Sequence, residues 1–248
     1  MNLAEEAQAW VDTKLYAQDI VDRFTQYVND THGLNKHRTF VEQKGYGFGE
    51  RAFHWAWKLL VDEMPDGFRF LEIGVFKGQV ISLIRLLADM QEKHAIINGV
   101  TPLSTTSGPQ GKFSKFPESD YAQDIANLHH AFGLAQPQIL NRDSTDGISH
   151  WLVGKIPKFD IVYIDGCHEF DSVLSDIKFY SERVKPGGYL VMDDSANNLK
   201  EPWGFFQGIV DVSTAVMLTI DSQPDKWQHL FAVMHLRVFR RIASEETL

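Results

Sequence analysis

The sequence predicts an α/β fold: a doubly wound, Rossmann-like, mostly parallel sheet with a late antiparallel strand and added N-terminal helices. Three observations carry this. Short apolar runs alternate with stretches of helical period between residues 68 and 192, the pattern of strand–helix–strand units on a parallel sheet. The first run ends in a glycine-rich turn, Glu72-Ile73-Gly74-Val75-Phe76-Lys77-Gly78. The fourth and fifth runs end in acids, Asp165 and Asp193-Asp194, at the carboxyl ends of strands where open α/β sheets bind ligands.

Taken in order, residues 4–31 read as one helix, with Trp10, Leu15, Ile20, Val21, Phe24 and Val28 at helical spacing. Gly45-Tyr46-Gly47-Phe48-Gly49 is a flexible turn, and a second helix follows with Phe53, Trp57, Leu60 and Val61 on one side. Strands are expected at 68–73, 95–100, 138–140, 160–164 and 189–192, with helices at 79–90, 120–132 and 170–184 between them. Pro186-Gly187-Gly188 is read as the turn from the last of these helices into the fifth strand. Alternation from Leu230 to Val238 predicts one late strand. Residues 101–121 are rich in Ser, Thr, Gly, Pro and Lys and have no apolar period; a loop this long is expected to be a lid or substrate loop. The chain divides into an N-terminal helical cap, 1–64, and a main domain, 65–248, expected to form one structural unit.

Composition limits the function classes. A net charge of −9, from 24 basic and 33 acidic residues, disfavours nucleic acid as a partner, since nucleic-acid binders present a basic face. One cysteine, Cys167, leaves no internal disulfide and fits a reducing cytoplasm. No signal-peptide pattern opens the sequence, and no run is long enough to span a membrane. A small-molecule partner is expected, with homo-oligomerisation open.

The acids pose a physical question. Carboxylates gathered at neighbouring strand ends repel one another unless something positive lies between them. A hard divalent cation with oxygen ligands answers this; alternatively, Asp165 and Asp193 cap the segments that follow them. The turn after the first strand adds a second constraint. It is not the Gly-x-Gly-x-x-Gly of dinucleotide enzymes, and an acid at Glu72 would repel a pyrophosphate. A cationic ligand without phosphates, such as S-adenosylmethionine, suits it better. Gly74→Val is expected on this basis to abolish cofactor binding and leave the fold largely intact.

Taken together, Glu72-x-Gly74-x-x-x-Gly78, Asn141-Arg142-Asp143-Ser144, Asp165-Gly166-x-His168 and Lys185-Pro186-Gly187-Gly188 before Asp193-Asp194 resemble a class I S-adenosylmethionine-dependent methyltransferase over about residues 65–200. Within that superfamily the chain is most similar to the metal-dependent O-methyltransferases of the catechol, caffeoyl-CoA and antibiotic-sugar type. The resemblance implies that Gly74 and Gly78 line the methionine part of the cofactor, with Glu72 beneath them. It implies adenine contacts at Asp143 and Ser144, and Mg²⁺ or another divalent cation held by Asp165, Asp193 and Asp194. Asp165 thereby borders both the cofactor and the reaction. His168 takes the place of the family's general base. Two departures stand out. Thr101 occupies the place of the acid that binds the ribose hydroxyls, and Cys167 occupies a position where some sugar methyltransferases carry an aspartate base.

The activity so implied is methyl transfer to a hydroxyl of a sugar, polyol or catechol-like small molecule. A nicotinamide-dependent oxidoreductase and a non-catalytic cofactor-binding protein are the alternatives on the same fold.

Overall fold

The computed structural model describes residues 2–13, 17–103, 120–199 and 205–243. Five parallel strands form its centre: β1 (Phe68–Ile73), β2 (Ala95–Val100), β3 (Gln138–Leu140), β4 (Phe159–Ile164) and β5 (Val184–Met192). Two more strands, β6 (Trp227–Val233) and β7 (Leu236–Arg241), complete one seven-stranded sheet in the order β3-β2-β1-β4-β5-β7-β6. β7 runs antiparallel to β5 and to β6.

Side chains alternate across the sheet as a pleated strand requires. Phe68, Phe70, Ile161, Tyr163, Tyr189, Val191 and Val238 enter one apolar core. Their neighbours Leu71, Ile73, Val162, Ile164, Leu190, Met192 and Phe239 enter the other. The first face is covered by α1 (Leu3–Thr13), α2 (Ala17–Asp30), α3 (His32–Lys44), α4 (Phe53–Asp62) and α5 (Gln79–Met90). On that side also lies α6 (Tyr121–Ala131), whose Ile125 joins the same core. The second face carries α7 (Gly147–Lys155), α8 (Phe170–Tyr180) and α9 (Val210–Val216). Residues 3–61 thus share a core with the sheet: Phe24 packs edge-on against Phe231, and Trp57 against Phe70.

Of the single helix expected over 4–31, α1 and α2 are described, and residues 14–16 lie outside the described residues. Other local expectations are corrected. α3, α7 and α9 were not foreseen. α7 contains Gly147 and Gly154 and starts from an Asp146 cap rather than from an apolar stripe. The helix expected over 170–184 ends as α8 at Tyr180, followed by a 3₁₀ turn.

Pro186-Gly187-Gly188 lies inside β5, where the register against β4 shifts between Phe159 and Ile161. A Cβ on Gly188 would sit 2.7 Å from the Asp160 carbonyl oxygen, so this bulge needs a residue without one. The late strand expected over 230–238 is a hairpin. Its turn, Met234-His235, has the non-glycine Met234 at φ 51 and carries no Asn or Gly to signal it. Among the described residues, no helix is long and apolar enough to cross a membrane.

Candidate active site

The sheet ladder itself sets the acids in place. Beyond the strand ends, the Asp165 N–H donates to the Ile73 carbonyl at 2.8 Å and the Asp193 N–H to the Ile164 carbonyl at 3.1 Å. Each acid therefore stands one residue past a strand, in register with its neighbour. The Gly74 N–H continues the same ladder onto the Val100 carbonyl, at 3.0 Å.

Asp165 and Asp193 are joined through a group on the same face of β4, the Tyr163 hydroxyl, which lies 2.9 Å from Asp165 Oδ2 and 3.2 Å from Asp193 Oδ2. One phenolic proton serves both carboxylates. Asp194 follows in the left-handed region at φ 49. Its carbonyl accepts the Ile209 N–H at 2.8 Å, and Gly208 approaches so closely that a Cβ there would lie 2.2 Å from the same oxygen. A non-glycine residue in this region is strained and is held by its surroundings.

Two imidazoles meet the acids. His168 Nε2 lies 3.4 Å from Asp194 Oδ2 and 3.8 Å from Asp165 Oδ1. His235, at the tip of the β6–β7 hairpin, places Nδ1 2.8 Å from Asp193 Oδ1 and 3.1 Å from Asp194 Oδ1. Asp193, Asp194 and His235 form a group able to hold a metal ion, with ligand atoms within 4.8 Å of one another. Asp165, placed with the aspartate pair by the resemblance, is connected to that group through Tyr163 and His168.

The electrostatics follow from burial and charge. Desolvation, then the charge of Asp193, raises the Asp165 carboxyl to about 7. Burial also pushes Asp193 upward, but the hydrogen bond and charge of His235 outweigh this and hold it below the usual carboxylate range. For His168, burial works downward while Asp165, Asp194 and Asp193 pull upward and prevail, so its pKa is raised. Burial likewise lowers His235, yet its bonds to Asp193 and Asp194 lift it to about 10.

Beside this cluster, the turn after β1 closes tightly. A Cβ on Gly74, at φ 88, would lie 2.0 Å from the Asp165 carbonyl oxygen. This glycine is thus required by the contact between two strand-end turns, which corrects the expectation that Gly74→Val leaves the fold intact. Gly78, at φ 90, precedes α5 and packs on Ile125. Glu72 is only 2% exposed, and its Oε2 has no hydrogen-bond partner. Desolvation and then the charge of Asp165 raise its pKa well above the ordinary value.

Glu72, Gly74, Phe76, Asp165 and Asp193 line one cleft with about 460 Å³ of empty space, part of it open to solvent. Its opposite wall is the turn at 46–49. Arg38, on α3, fixes that turn by donating to the Gly49 carbonyl at 2.7 Å and to the Gln79 Oε1 at 3.1 Å, while Gln79 Nε2 donates to the Phe48 carbonyl at 3.1 Å. Phe48 stacks on Phe76 at 5.0 Å.

Gly78, Thr101, Asp143 and Ser144 are not among the residues lining this cleft. Thr101 is buried and donates its N–H to the Leu140 carbonyl. Asp143 Oδ1 accepts from the Thr145 N–H and hydroxyl, in a turn before α7. The Ser144 hydroxyl points inward, donating to Asp176 Oδ2 at 3.0 Å. The lid expected over 101–121 falls mostly on residues 104–119, which lie outside the described residues. Phe206 meets His235 edge-on at 5.1 Å.

Tyr163 and His235 escaped the sequence reading. Period-two alternation from Asp165 back to Tyr163 was available as a signal. For His235 there was none, because the hairpin turn that delivers it is unmarked.

A methyltransferase-domain family model matches residues 71–195, which hold the glycine turn, Asp165 and both acids after β5. A relative of undetermined function, protein R132 of Acanthamoeba polyphaga mimivirus, is 27% identical over 160 residues, 62% of this chain. The chain spans 64% of the length of that relative. Among solved structures, the SAH-bound methyltransferase PaMTH1 of Podospora anserina aligns with TM-score 0.59 and 13% identity, over 92% of this chain and 97% of that one. The O-methyltransferase NovP aligns with TM-score 0.57 and 14% identity, over 93% and 100%. MycE of the mycinamycin pathway, in complex with Mg and SAH, aligns with TM-score 0.54 and 16% identity, over 85% of this chain and 55% of that one. Glycine turn, strand order and matched span agree: the chain belongs to the methyltransferase-domain family and has the Rossmann-like fold of class I methyltransferases.

Proposed function

We propose that the protein transfers a methyl group from S-adenosylmethionine to a hydroxyl of a small molecule, with a divalent cation at its acidic cluster. The observation that carries this is the meeting of Asp165, His168, Asp193 and Asp194 beside the glycine turn of β1. The SAH in PaMTH1 and the Mg and SAH in MycE support the two ligands by analogy of fold.

The cleft at Gly74 and Phe76 would receive the cofactor, whose sulfonium supplies the reactive methyl. A cation held by Asp193 and Asp194, with Asp165 beside them, would lower the pKa of an acceptor hydroxyl and orient it. The remaining work falls to the chain's own residues. Orientation in such a cleft is able to supply about 7–11 kcal/mol of barrier reduction. His168 accepts the hydroxyl proton on Nε2, the atom that faces both Asp165 and Asp194. Those carboxylates favour its charged form, so it acts as a base only where their charge is compensated.

The test is transfer of a labelled methyl from S-adenosylmethionine to a panel of sugars, polyols and catechols, before and after chelation. Transfer that stops with chelator and returns with divalent cation supports the proposal. Full transfer in exhaustively chelated protein would leave a metal-independent methyltransferase.

A further inference from the structure

We propose that His235 is a metal ligand alongside Asp193 and Asp194, and that the centre therefore takes a first-row transition ion, of the Mn²⁺, Fe²⁺ or Co²⁺ kind, in preference to Mg²⁺. This rests on the reading above that the acidic cluster holds a divalent cation.

Geometry comes first. Two donors bound cis to one ion at about 2.1 Å stand about 3.0 Å apart. His235 Nδ1 is 2.8 Å from Asp193 Oδ1 and 3.1 Å from Asp194 Oδ1. His235 Nδ1 thus stands at cis-ligand spacing from each carboxylate, and the ligand atoms of all three residues lie within 4.8 Å of one another. The imidazole meets the rings of Phe53 at 4.9 Å and Phe206 at 5.1 Å, both edge-on. The His235 carbonyl accepts the Ser195 N–H at 2.9 Å, tying the hairpin tip to the residue after Asp194.

Ligand chemistry then sets the preference. Carboxylates alone suit Mg²⁺ or Ca²⁺, which take oxygen and leave nitrogen donors aside. An imidazole nitrogen suits transition ions, and affinity for nitrogen-containing sites rises along the first row. The resemblance that assigned Asp165, Asp193 and Asp194 supplies oxygen ligands only. His235 arrives from the β6–β7 hairpin, outside the residues matched by the methyltransferase-domain model.

The experiment is calorimetric titration of the metal-stripped full chain with MnCl₂, CoCl₂ and MgCl₂, for wild type, His235→Ala and His235→Asn. Asn keeps a hydrogen-bond donor toward Asp193 and guards against a folding defect. Pulsed EPR of the Mn²⁺-loaded proteins reads nitrogen coordination directly. The expected result is Mn²⁺ and Co²⁺ binding at least about tenfold tighter than Mg²⁺, with imidazole ¹⁴N coupling. In both variants that margin should collapse and the coupling disappear, while Mg²⁺ affinity changes little. Mn²⁺ binding without nitrogen coupling, or unchanged discrimination in the folded variants, overturns His235 as a ligand and leaves the cation reading intact. Failure of all three ions to bind overturns both.

Discussion

At the scale of single residues, Gly74 and Asp176 give the sharpest expectations. Gly74 meets two constraints at once, a φ of 88 and an Asp165 carbonyl 2.0 Å from any added Cβ. Gly74→Ala should therefore cost about 3 kcal/mol or more, from backbone strain plus overpacking. Urea denaturation reads this as a lowered midpoint; a wild-type midpoint would mean that the two turns separate without penalty. Asp176 is fully buried, with Oδ1 unpartnered, and desolvation raises it from 3.8 to about 7. A raised acid binds its proton more tightly in the folded state, so its contribution is complete below about pH 4 and is lost as pH rises through about 7. Asp176→Asn keeps an acceptor for Ser144 and removes this slope. Melting temperatures from pH 4 to 8 should fall more steeply for wild type than for the variant, and parallel curves would contradict the assignment. His168→Ala should lower turnover by about 10²–10⁴ if the ring is the base, with S-adenosylmethionine affinity unchanged. A loss smaller than tenfold would move the proton to another acceptor.

At the scale of elements, α3 and the β6–β7 hairpin do what no strand motif announces. Arg38, only 6% exposed, reaches across from α3 to the carbonyls of Phe48 and Gly49 and to Gln79 at the start of α5. It ties the outer wall of the cleft to its floor. Arg38→Ala removes the donor to the Gly49 carbonyl and to Gln79 Oε1, both half-buried, and should cost about 1–2 kcal/mol. It should also weaken cofactor binding, since the turn loses its anchor. Unaltered affinity in a folded Arg38→Ala protein would show that the turn takes no part in binding.

β1, β4 and the end of β5 were legible as apolar runs closed by glycine or acid, and the bounds of β1, β2 and β3 were read to the residue. The hairpin was not, since Met234-His235 looks like two more residues of a strand. α7 was missed for the opposite reason, because two glycines mask a helix that begins at the Asp146 cap. Within the site, Asp165, Asp193 and Asp194 were singled out by their place after apolar runs, and His168 by the family resemblance. Tyr163 was open to period-two alternation back from Asp165, whereas His235 depends on a distant hairpin that spacing does not encode.

At the scale of the whole molecule, residues 3–61 and the sheet bury one apolar core in common. We therefore expect the segments divided at residue 64 to unfold together, in a single transition seen alike by far-ultraviolet dichroism and tryptophan fluorescence. Two separated transitions would make the helices an independent domain. This shared core also explains how the site is assembled. The N-terminal helices bring the turn at 46–49 to one side, and the parallel strands bring the acids to the other. The hairpin closes the far edge with an imidazole.

On the proposed function, this cleft binds S-adenosylmethionine beside an acidic metal centre. The most direct measurement is calorimetric titration of the full chain with S-adenosylmethionine, with and without chelator. One molecule should bind per chain, and binding should survive chelation, because the principal cofactor contacts are expected at the β1 turn rather than at the acids. Absence of binding under both conditions would contradict the account.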